Sequence, residues 1–176
     1  MASTISRLWR FLSALGLSLG IAAMPPGDAR AQERFVGDEN VYSVAVPPGW
    51  TKFETNDADA AFAAPGGGTS RGTIFFGAAD AYGSLDEEAE QVADGGEMKD
   101  FENLDVRGMP CVYFWTDDGF ARNNALICQF HVPTARGPAL TTFTLGSSSK
   151  PEDWPAHTRV LRGMIASLSW RDDVFP

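Results

Sequence analysis

The stretch Tyr42–Trp50, with the sequence Tyr-Ser-Val-Ala-Val-Pro-Pro-Gly-Trp, predicts the first strand of the folded domain. Large and small side chains alternate over its first five residues, which is typical of a strand with one buried face. Pro47 and Pro48 cannot donate a ladder hydrogen bond, so we expect the strand to end before them. Trp50 is expected to pack back over the strand that precedes it.

Further apolar or β-branched runs follow along the chain and predict more strands. These runs are Lys52–Thr55, Ala61–Ala64, Thr73–Ala78, Met98–Arg107, Pro110–Thr116, Leu126–Val132 and Leu140–Leu145. Loops are predicted at the glycine run Gly66–Gly68 and at Pro133–Pro138. The polar run Ser147–Ser149 is interpreted as the approach to a helix.

Two segments have the periodicity of helices. Ser84 and Glu87 fit a capping box, which predicts a helix from Leu85 to Asp94 with an apolar stripe. That stripe consists of Leu85, Ala89 and Val92. A second helix is predicted after Pro151, with apolar residues at three- and four-residue spacing. Its predicted buried face consists of Trp154, His157, Leu161, Met164, Ile165 and Leu168. Both stripes need a large apolar surface, so the pattern predicts an α+β fold with helices packed on a mostly antiparallel sheet.

The two cysteines of the chain, Cys111 and Cys128, are placed symmetrically about Gly119-Phe120. If the flanking strands form a hairpin centred there, the cysteines lie directly opposite each other, within reach of a disulfide. The alternative is two buried free thiols. An oxidising compartment favours the disulfide.

Met1–Ala31 resembles a secretory leader. Arg7 and Arg10 precede the uncharged apolar run Phe11–Met24, and Ala29-Arg30-Ala31 offers small residues at a cleavage site. The run is too short to cross a bilayer core of about 30 Å. We therefore expect export with cleavage and no membrane insertion afterwards, which gives a periplasmic or secreted protein. The remaining chain is expected to have a flexible arm over 32–40 and a single domain over 41–176. An uncleaved anchor or an organelle-targeting segment is the alternative.

The chain is acidic, with 23 Asp and Glu against 14 Lys and Arg, a net charge of −9. The predicted leader holds three of the basic residues and one of the acidic ones, so cleavage makes the remainder more acidic. Such a field repels nucleic acids and anionic lipid surfaces. It permits a well-solvated surface, attraction of cations, or docking to a basic partner.

The chain resembles the Mog1/PsbP-like superfamily in the order and spacing of four features. These are Tyr42–Trp50, the capping box at Ser84, the strand ending at Gly108-Met109-Pro110 and the terminal helix ending at Leu168. That superfamily includes the DcrB-like bacterial exported proteins. The resemblance covers most of Val41–Trp170. It implies an α/β/α sandwich around an antiparallel sheet and a non-enzymatic accessory or assembly role. It supplies no catalytic residues.

No pattern for catalysis or cofactor binding stands out in the sequence. There is no nucleotide-binding fingerprint and no calcium loop, so we predict no cofactor, no metal ligand and no catalytic residue. Ser147-x-x-Lys150 is interpreted as a chance match. The alternative to a binding protein is a small metal-dependent hydrolase whose site is assembled from dispersed residues, with Asp117, His131 and Asp153 as first candidates.

An aromatic side chain at a hairpin tip is either folded under the loop or offered to a partner. Phe120 occupies the tip of the predicted hairpin, next to Asp117, Asp118 and Arg122. These four residues are the predicted partner-binding site, together with the open sheet edge and the Gly66–Gly68 loop. The expected function is an exported, non-catalytic binding or assembly factor whose partner is another envelope protein or protein complex.

Overall fold

The structure, a computed structural model, describes residues 33–55 and 58–176, and the leader predicted over Met1–Ala31 lies outside them. Ten strands and two helices lie within the described residues. The strands are β1 Arg34–Val36, β2 Tyr42–Ala45, β3 Thr51–Phe53, β4 Ala60–Ala64, β5 Gly68–Asp80, β6 Lys99–Val106, β7 Met109–Asp117, β8 Arg122–Thr134, β9 Gly137–Ser149 and β10 Ser169–Trp170. The helices are α1 Leu85–Ala93 and α2 Trp154–Ser167. A single 3₁₀ turn covers Asp38–Asn40.

Seven of the strands form one sheet in the order β3-β4-β5-β9-β8-β7-β6, and every neighbouring pair is antiparallel. The long pair at its centre, β8 and β9, runs unbroken from Arg122 opposite Ser149 to Thr134 opposite Gly137. A second, three-stranded sheet has the order β1-β2-β10. The predicted fold class, α+β with a mostly antiparallel sheet and two main helices, is confirmed.

One face of the large sheet is covered by α2 and the three-stranded sheet. Strand residues alternate between the two faces, so every second side chain of β8 points into this core. The core includes Tyr42, Ile74, Phe76, Tyr113, Leu126, Phe130, Phe143, Leu145, Leu161 and Leu168. Trp170 closes it with its ring 5.0 Å from that of Phe130, and its indole N–H donates to the Val106 carbonyl.

The opposite face is covered by α1, which packs on β7 and β8. Its N-terminus has the predicted capping box: the Ser84 hydroxyl accepts from the Glu87 N–H, and the Glu87 carboxylate accepts from the Ser84 N–H. Ala89 and Ala93 are buried against a second cluster that contains Phe114 and Ile127. Helices therefore lie on both faces of the sheet, as the predicted sandwich requires.

The predicted apolar stripe of α1 is wrong in its last member. Val92 is 39% exposed, and Ala93 takes the buried position instead. Both positions lie close to the helix face that contains Ala89, so the sequence pattern alone permits either. At nine residues, roughly 14 Å, α1 spans only part of the sheet's width. Val92 lies at the margin that the helix leaves uncovered.

Two predicted loops and the predicted approach to the second helix belong largely to strands in the structure. Ser147–Ser149 continues β9, because its backbone pairs with β5 on one side and β8 on the other. Residues 133–138 belong largely to β8 and β9, since Pro133 lies opposite Pro138 in the ladder. Gly68 pairs with Ala64 and starts β5, which leaves a tight turn in place of the triple-glycine loop.

The flexible arm predicted over 32–40 is also corrected. Arg34–Val36 pairs antiparallel with Ala45–Ser43 of β2, and the Arg34 guanidinium donates to Ser43 and to the Ser167 carbonyl. Phe35 packs edge-on against Phe76, with ring centroids 5.0 Å apart. The ladder partner β2 is the next strand of the chain, but Phe76 and Ser167 lie far along it, and the local polarity of the segment does not reveal these contacts.

The hairpin register predicted from the cysteines is confirmed. Cys111 lies directly opposite Cys128, with Cα atoms 4.0 Å apart and the sulfur atoms joined in a disulfide. Both residues are buried in the core that α2 covers. The bond therefore fixes β7 against β8 six residue pairs away from the pair Asp117–Arg122 at the hairpin tip.

Removing the disulfide is expected to lower stability. A Cys111→Ser/Cys128→Ser variant regains chain entropy in the unfolded state over a separation of 17 residues. The chain-entropy relation gives about 3 kcal/mol for a loop of this size, or roughly 6–12 °C in Tm. Thermal melts of the double variant and of the native protein with and without reductant measure this. Two thiols that alkylate in native, unreduced protein contradict the pairing.

Candidate functional site

The turn that joins β7 to β8 is held by its own carboxylates. The Asp117 carboxylate accepts from the Gly119 N–H at 2.9 Å, and Asp118 accepts from the N–H groups of Phe120 and Ala121 at 2.8 and 2.7 Å. Gly119 has φ +85°, a conformation that favours glycine. The residues that were predicted to bind a partner thus first build a defined turn.

Phe120 is the most exposed large apolar side chain at this end of the described structure. It is 87% exposed, so it is not folded under the loop. The two hydrogen bonds that Asp118 accepts fix the backbone on either side of it. The turn therefore presents an aromatic ring to solvent on a fixed backbone.

Arg122 anchors the turn on the side of the sheet that α2 covers. Its Nε donates to the Asp117 carboxylate at 3.1 Å, and its guanidinium lies 5.4 Å from the Trp115 ring and 5.3 Å from the Trp154 ring. Lys99 approaches the Trp115 ring to 5.0 Å. Arg122 is thus partly enclosed between an ion pair and two aromatic faces, which makes it a structural support of the tip.

Both carboxylates of the turn are in their charged form at neutral pH. The Gly119 N–H, followed by Arg122, lowers the pKa of Asp117 below its usual range. The Ala121 and Phe120 N–H groups lower the pKa of Asp118 in the same way. Hydrogen bonds from backbone donors favour the ionised carboxylate, and this is the physical cause in each case.

A groove of about 300 Å³ lies beside the turn, on the face of the sheet that carries α1. We call it the acidic groove. Its lining residues are Phe75, Val92, Ala93, Asp94, Gly96, Phe114, Thr116, Asp117, Asp118, Asn123, Asn124 and Ala125. Three of them are carboxylates and none is basic. The structure thus brings Asp117 and Asp118 together with apolar residues of β5 and α1.

The sequence analysis did not identify Phe75, Val92 or Asp94 as site residues. Phe75 falls within the predicted strand Thr73–Ala78, and Val92 within the predicted apolar stripe of the first helix. One signal was available at Asp94, because an acidic residue at the end of a helix is opposed to the negative end of the helix dipole. The sequence places that acid directly before Gly95-Gly96, where the predicted helix ends.

The dispersed residues of the hydrolase alternative are not brought together. Asp117 lies at the end of the sheet where β8 begins. Asp153 lies near the same end and forms an ion pair with Arg71 at 2.7 Å. His131 is nine residues further along β8, about 30 Å away at roughly 3.3 Å per residue, with its ring stacked on Phe175. Within residues 33–55 and 58–176, no group of three or more His, Cys, Asp or Glu side chains could hold a metal ion.

His157 lies at the seam between α2 and the sheet, where the sequence analysis placed it. Its ring is 5.1 Å from that of Trp50 and covers Gly72, where a Cβ would lie 2.2 Å from the imidazole. Burial lowers the pKa of His157, and the nearby Asp153 offsets this only in part. The residue therefore serves as a neutral packing element of the helix.

Among the described residues, no helix is long and apolar enough to cross a bilayer.

Comparison with solved structures reveals proteins of the same architecture. The chain resembles the solution structure of the cyanobacterial PsbP protein CyanoP from Synechocystis sp. PCC 6803, with a TM-score of 0.52, 14% identity, and coverage of 79% of this chain and 92% of that one. The fold is Mog1/PsbP-like. The fold that the sequence resemblance implied is thereby confirmed.

Two other solved structures share this fold. One is LpqN of Mycobacterium tuberculosis, described as involved in cell envelope biogenesis, with a TM-score of 0.55, 9% identity, and coverage of 84% of this chain and 87% of that one. The other is a protein of Bacteroides thetaiotaomicron, with a TM-score of 0.50, 17% identity and 80% of this chain covered; the match spans only 49% of that protein. No protein-family model matches the sequence, and no curated protein matches it significantly.

The turn is expected to lose stability in acid through Asp118. Because the pKa of Asp118 is lower in the folded state, its contribution is complete above the unfolded value and is lost as the pH falls through the folded value. The Tm gap between the native protein and Asp118→Ala should be largest at neutral pH and shrink towards about pH 3. Thermal melts over this range measure it.

Asp118→Asn is the matched control for this series. It keeps an oxygen that accepts the Phe120 and Ala121 N–H groups and removes only the charge. Its Tm at neutral pH should lie between those of the native protein and Asp118→Ala. An Asp118→Ala gap that is equal at neutral and acidic pH contradicts the assignment.

Proposed function

We propose that the chain is an exported, non-catalytic binding or assembly factor of the cell envelope, and that it contacts its protein partner through the β7–β8 tip. The observation that carries the proposal is Phe120, an aromatic ring 87% exposed on a turn with a fixed backbone. Aromatic anchors of this kind contribute much of the binding energy of protein interfaces.

The rigidity of the turn supports this role. Ordering a loop on binding costs free energy, and a preformed turn avoids that cost. Asp117 and Asp118 hold the backbone of the turn, and Arg122 pairs with Asp117 at the tip end of the ladder. The Cys111–Cys128 disulfide fixes the register further along the hairpin. These contacts order the turn around Phe120, whose side chain takes no part in the core.

The proposed export rests on the pattern of the leader and on the cysteine pair. Arg7, Arg10 and the apolar run Phe11–Met24 have the order of a secretory leader. Disulfides persist in oxidising compartments, which suits a protein outside the cytoplasm. The fold-level likeness to CyanoP and LpqN gives the architecture, so the function is argued from the chain's own residues.

Truncating the aromatic anchor is expected to weaken partner binding strongly. Phe120→Ala keeps the backbone N–H that Asp118 accepts, so the turn should persist while the ring is lost. A hot-spot aromatic costs about 2 kcal/mol or more, roughly thirty-fold in affinity. Affinity capture from the envelope fraction of the source organism, with the recovered proteins quantified by mass spectrometry, measures this.

Tyr82→Ala is the matched control, because Tyr82 is 83% exposed and lies before the N-terminus of α1, at the other end of that helix from the acidic groove. It should retain the partners that Phe120→Ala loses. Equal yields of every recovered protein for native and Phe120→Ala baits would contradict partner binding through the β7–β8 tip. Unprocessed full-length chain found in the cytosolic fraction would overturn the export.

A further inference from the structure

We propose that the acidic groove receives a lysine or arginine side chain from the partner, with the aliphatic stem on Phe75 and Val92 and the charged head beside Asp94 and Asp118. This inference deepens the proposed function and rests on it, because it names the chemistry of the partner segment. The groove and the tip share Asp117 and Asp118, so one partner segment can reach both.

The apolar wall of the groove is exposed and fixed in place. Phe75 is 37% exposed and Val92 is 39% exposed. The Phe75 ring lies over Gly146 of β9, where a Cβ would come within 2.3 Å of its Cζ atom. Since only glycine allows this approach, the chain places an aromatic ring against the sheet on the part of this face that α1 leaves uncovered.

The charged part of the groove lies at the negative end of α1. Asp94 caps the helix, and the last turn of α1 has no basic residue to balance the carbonyl groups there. Acids also occupy the first turn, at Asp86, Glu87 and Glu88, where they complement the positive end. The C-terminal end is therefore the end of α1 that favours an external cation.

The turn adds a further negative charge to the groove. Backbone donors hold Asp118 in its ionised form without supplying a compensating charge. Asp117 differs, because Arg122 pairs with it at 3.1 Å. The uncompensated charges of the groove are thus Asp94 and Asp118.

Size and shape indicate what kind of cation fits. A volume of about 300 Å³ is at the lower end of the range for ligand pockets. Lysine and arginine bury their aliphatic stems on apolar surface while the charged head stays near water or an acid. The groove offers both surfaces side by side. An acidic or phosphorylated segment would instead meet like charge.

The test uses defined peptides and the purified chain. The probe is an acetylated, amidated pentapeptide Gly-Leu-Lys-Leu-Gly, compared with Gly-Leu-Glu-Leu-Gly, and binding is followed through backbone amide chemical shifts. The lysine peptide should shift the amides of residues 92–96 and 114–118 in a saturable manner. The glutamate peptide should leave them in place.

Two variants and one matched control locate the contact. Asp94→Asn removes one charge from the groove and should weaken lysine-peptide binding about threefold. Val92→Lys places a competing cation on the wall and should weaken it by about tenfold or more. Glu90→Gln removes the same charge as Asp94→Asn from an exposed position of α1 outside the groove, and should leave binding unchanged.

Each outcome decides the inference separately from the proposed function. Equal shifts with both peptides, no shift in residues 92–96, or equal losses for Asp94→Asn and Glu90→Gln would overturn the groove assignment. If the groove assignment fails while Phe120→Ala still loses its partners, the proposed function stands. If the lysine peptide binds as expected while Phe120→Ala keeps every partner, the groove stands and the tip does not.

Discussion

The antiparallel pairing of β8 with β9 is the constraint on which the rest of the molecule depends. It places apolar side chains on both faces of one sheet, Leu126 and Phe130 on one and Ala125 and Ile127 on the other. A sheet that is apolar on both faces needs a covering layer on each. The helix α2 and the three-stranded sheet meet this need over one face, whereas the shorter α1 packs mainly on the strands β7 and β8 of the other. The acidic groove lies at the margin of that incomplete layer.

The β7–β8 hairpin shows how a core feature reaches the surface. The Cys111–Cys128 pair fixes the register inside the core, and the same register sets Asp117 opposite Arg122 at the tip. Asp117 and Asp118 then order the turn through backbone hydrogen bonds. Because the disulfide, the strand register and the turn hydrogen bonds all favour the same backbone geometry, Phe120 projects from a backbone that loses little conformational entropy on binding. Rigidity of this kind favours a binding surface over a mobile loop.

Local patterns were sufficient to predict much of this architecture. Alternation and apolar runs located eight of the ten described strands and missed β1 and β10. The Ser84–Glu87 box located the start of α1, and the symmetric placement of the cysteines gave the hairpin register. Strand ends could not be predicted, because Ser147–Ser149 is held by partners on both sides and not by its own polar residues. The exposure of Val92 and the role of Phe75 depend on how far α1 extends across the sheet. How far the helix extends depends on tertiary packing, which the periodicity of the helix does not reveal.

The distribution of charge around the tip gives the proposed contact a direction. Arg122 points towards the α2 side, where it lies with Lys99 against the Trp115 ring, while Asp118 and Asp94 line the α1 side. The α2 side of the tip therefore carries paired charge, because Arg122 forms an ion pair with Asp117, whereas the α1 side carries the carboxylates of Asp94 and Asp118. A basic segment is therefore attracted more strongly on the α1 side than on the α2 side, and such charge complementarity favours one docking orientation. Phe120 lies between these faces, so an anchor without charge selectivity of its own acquires an orientation from its surroundings.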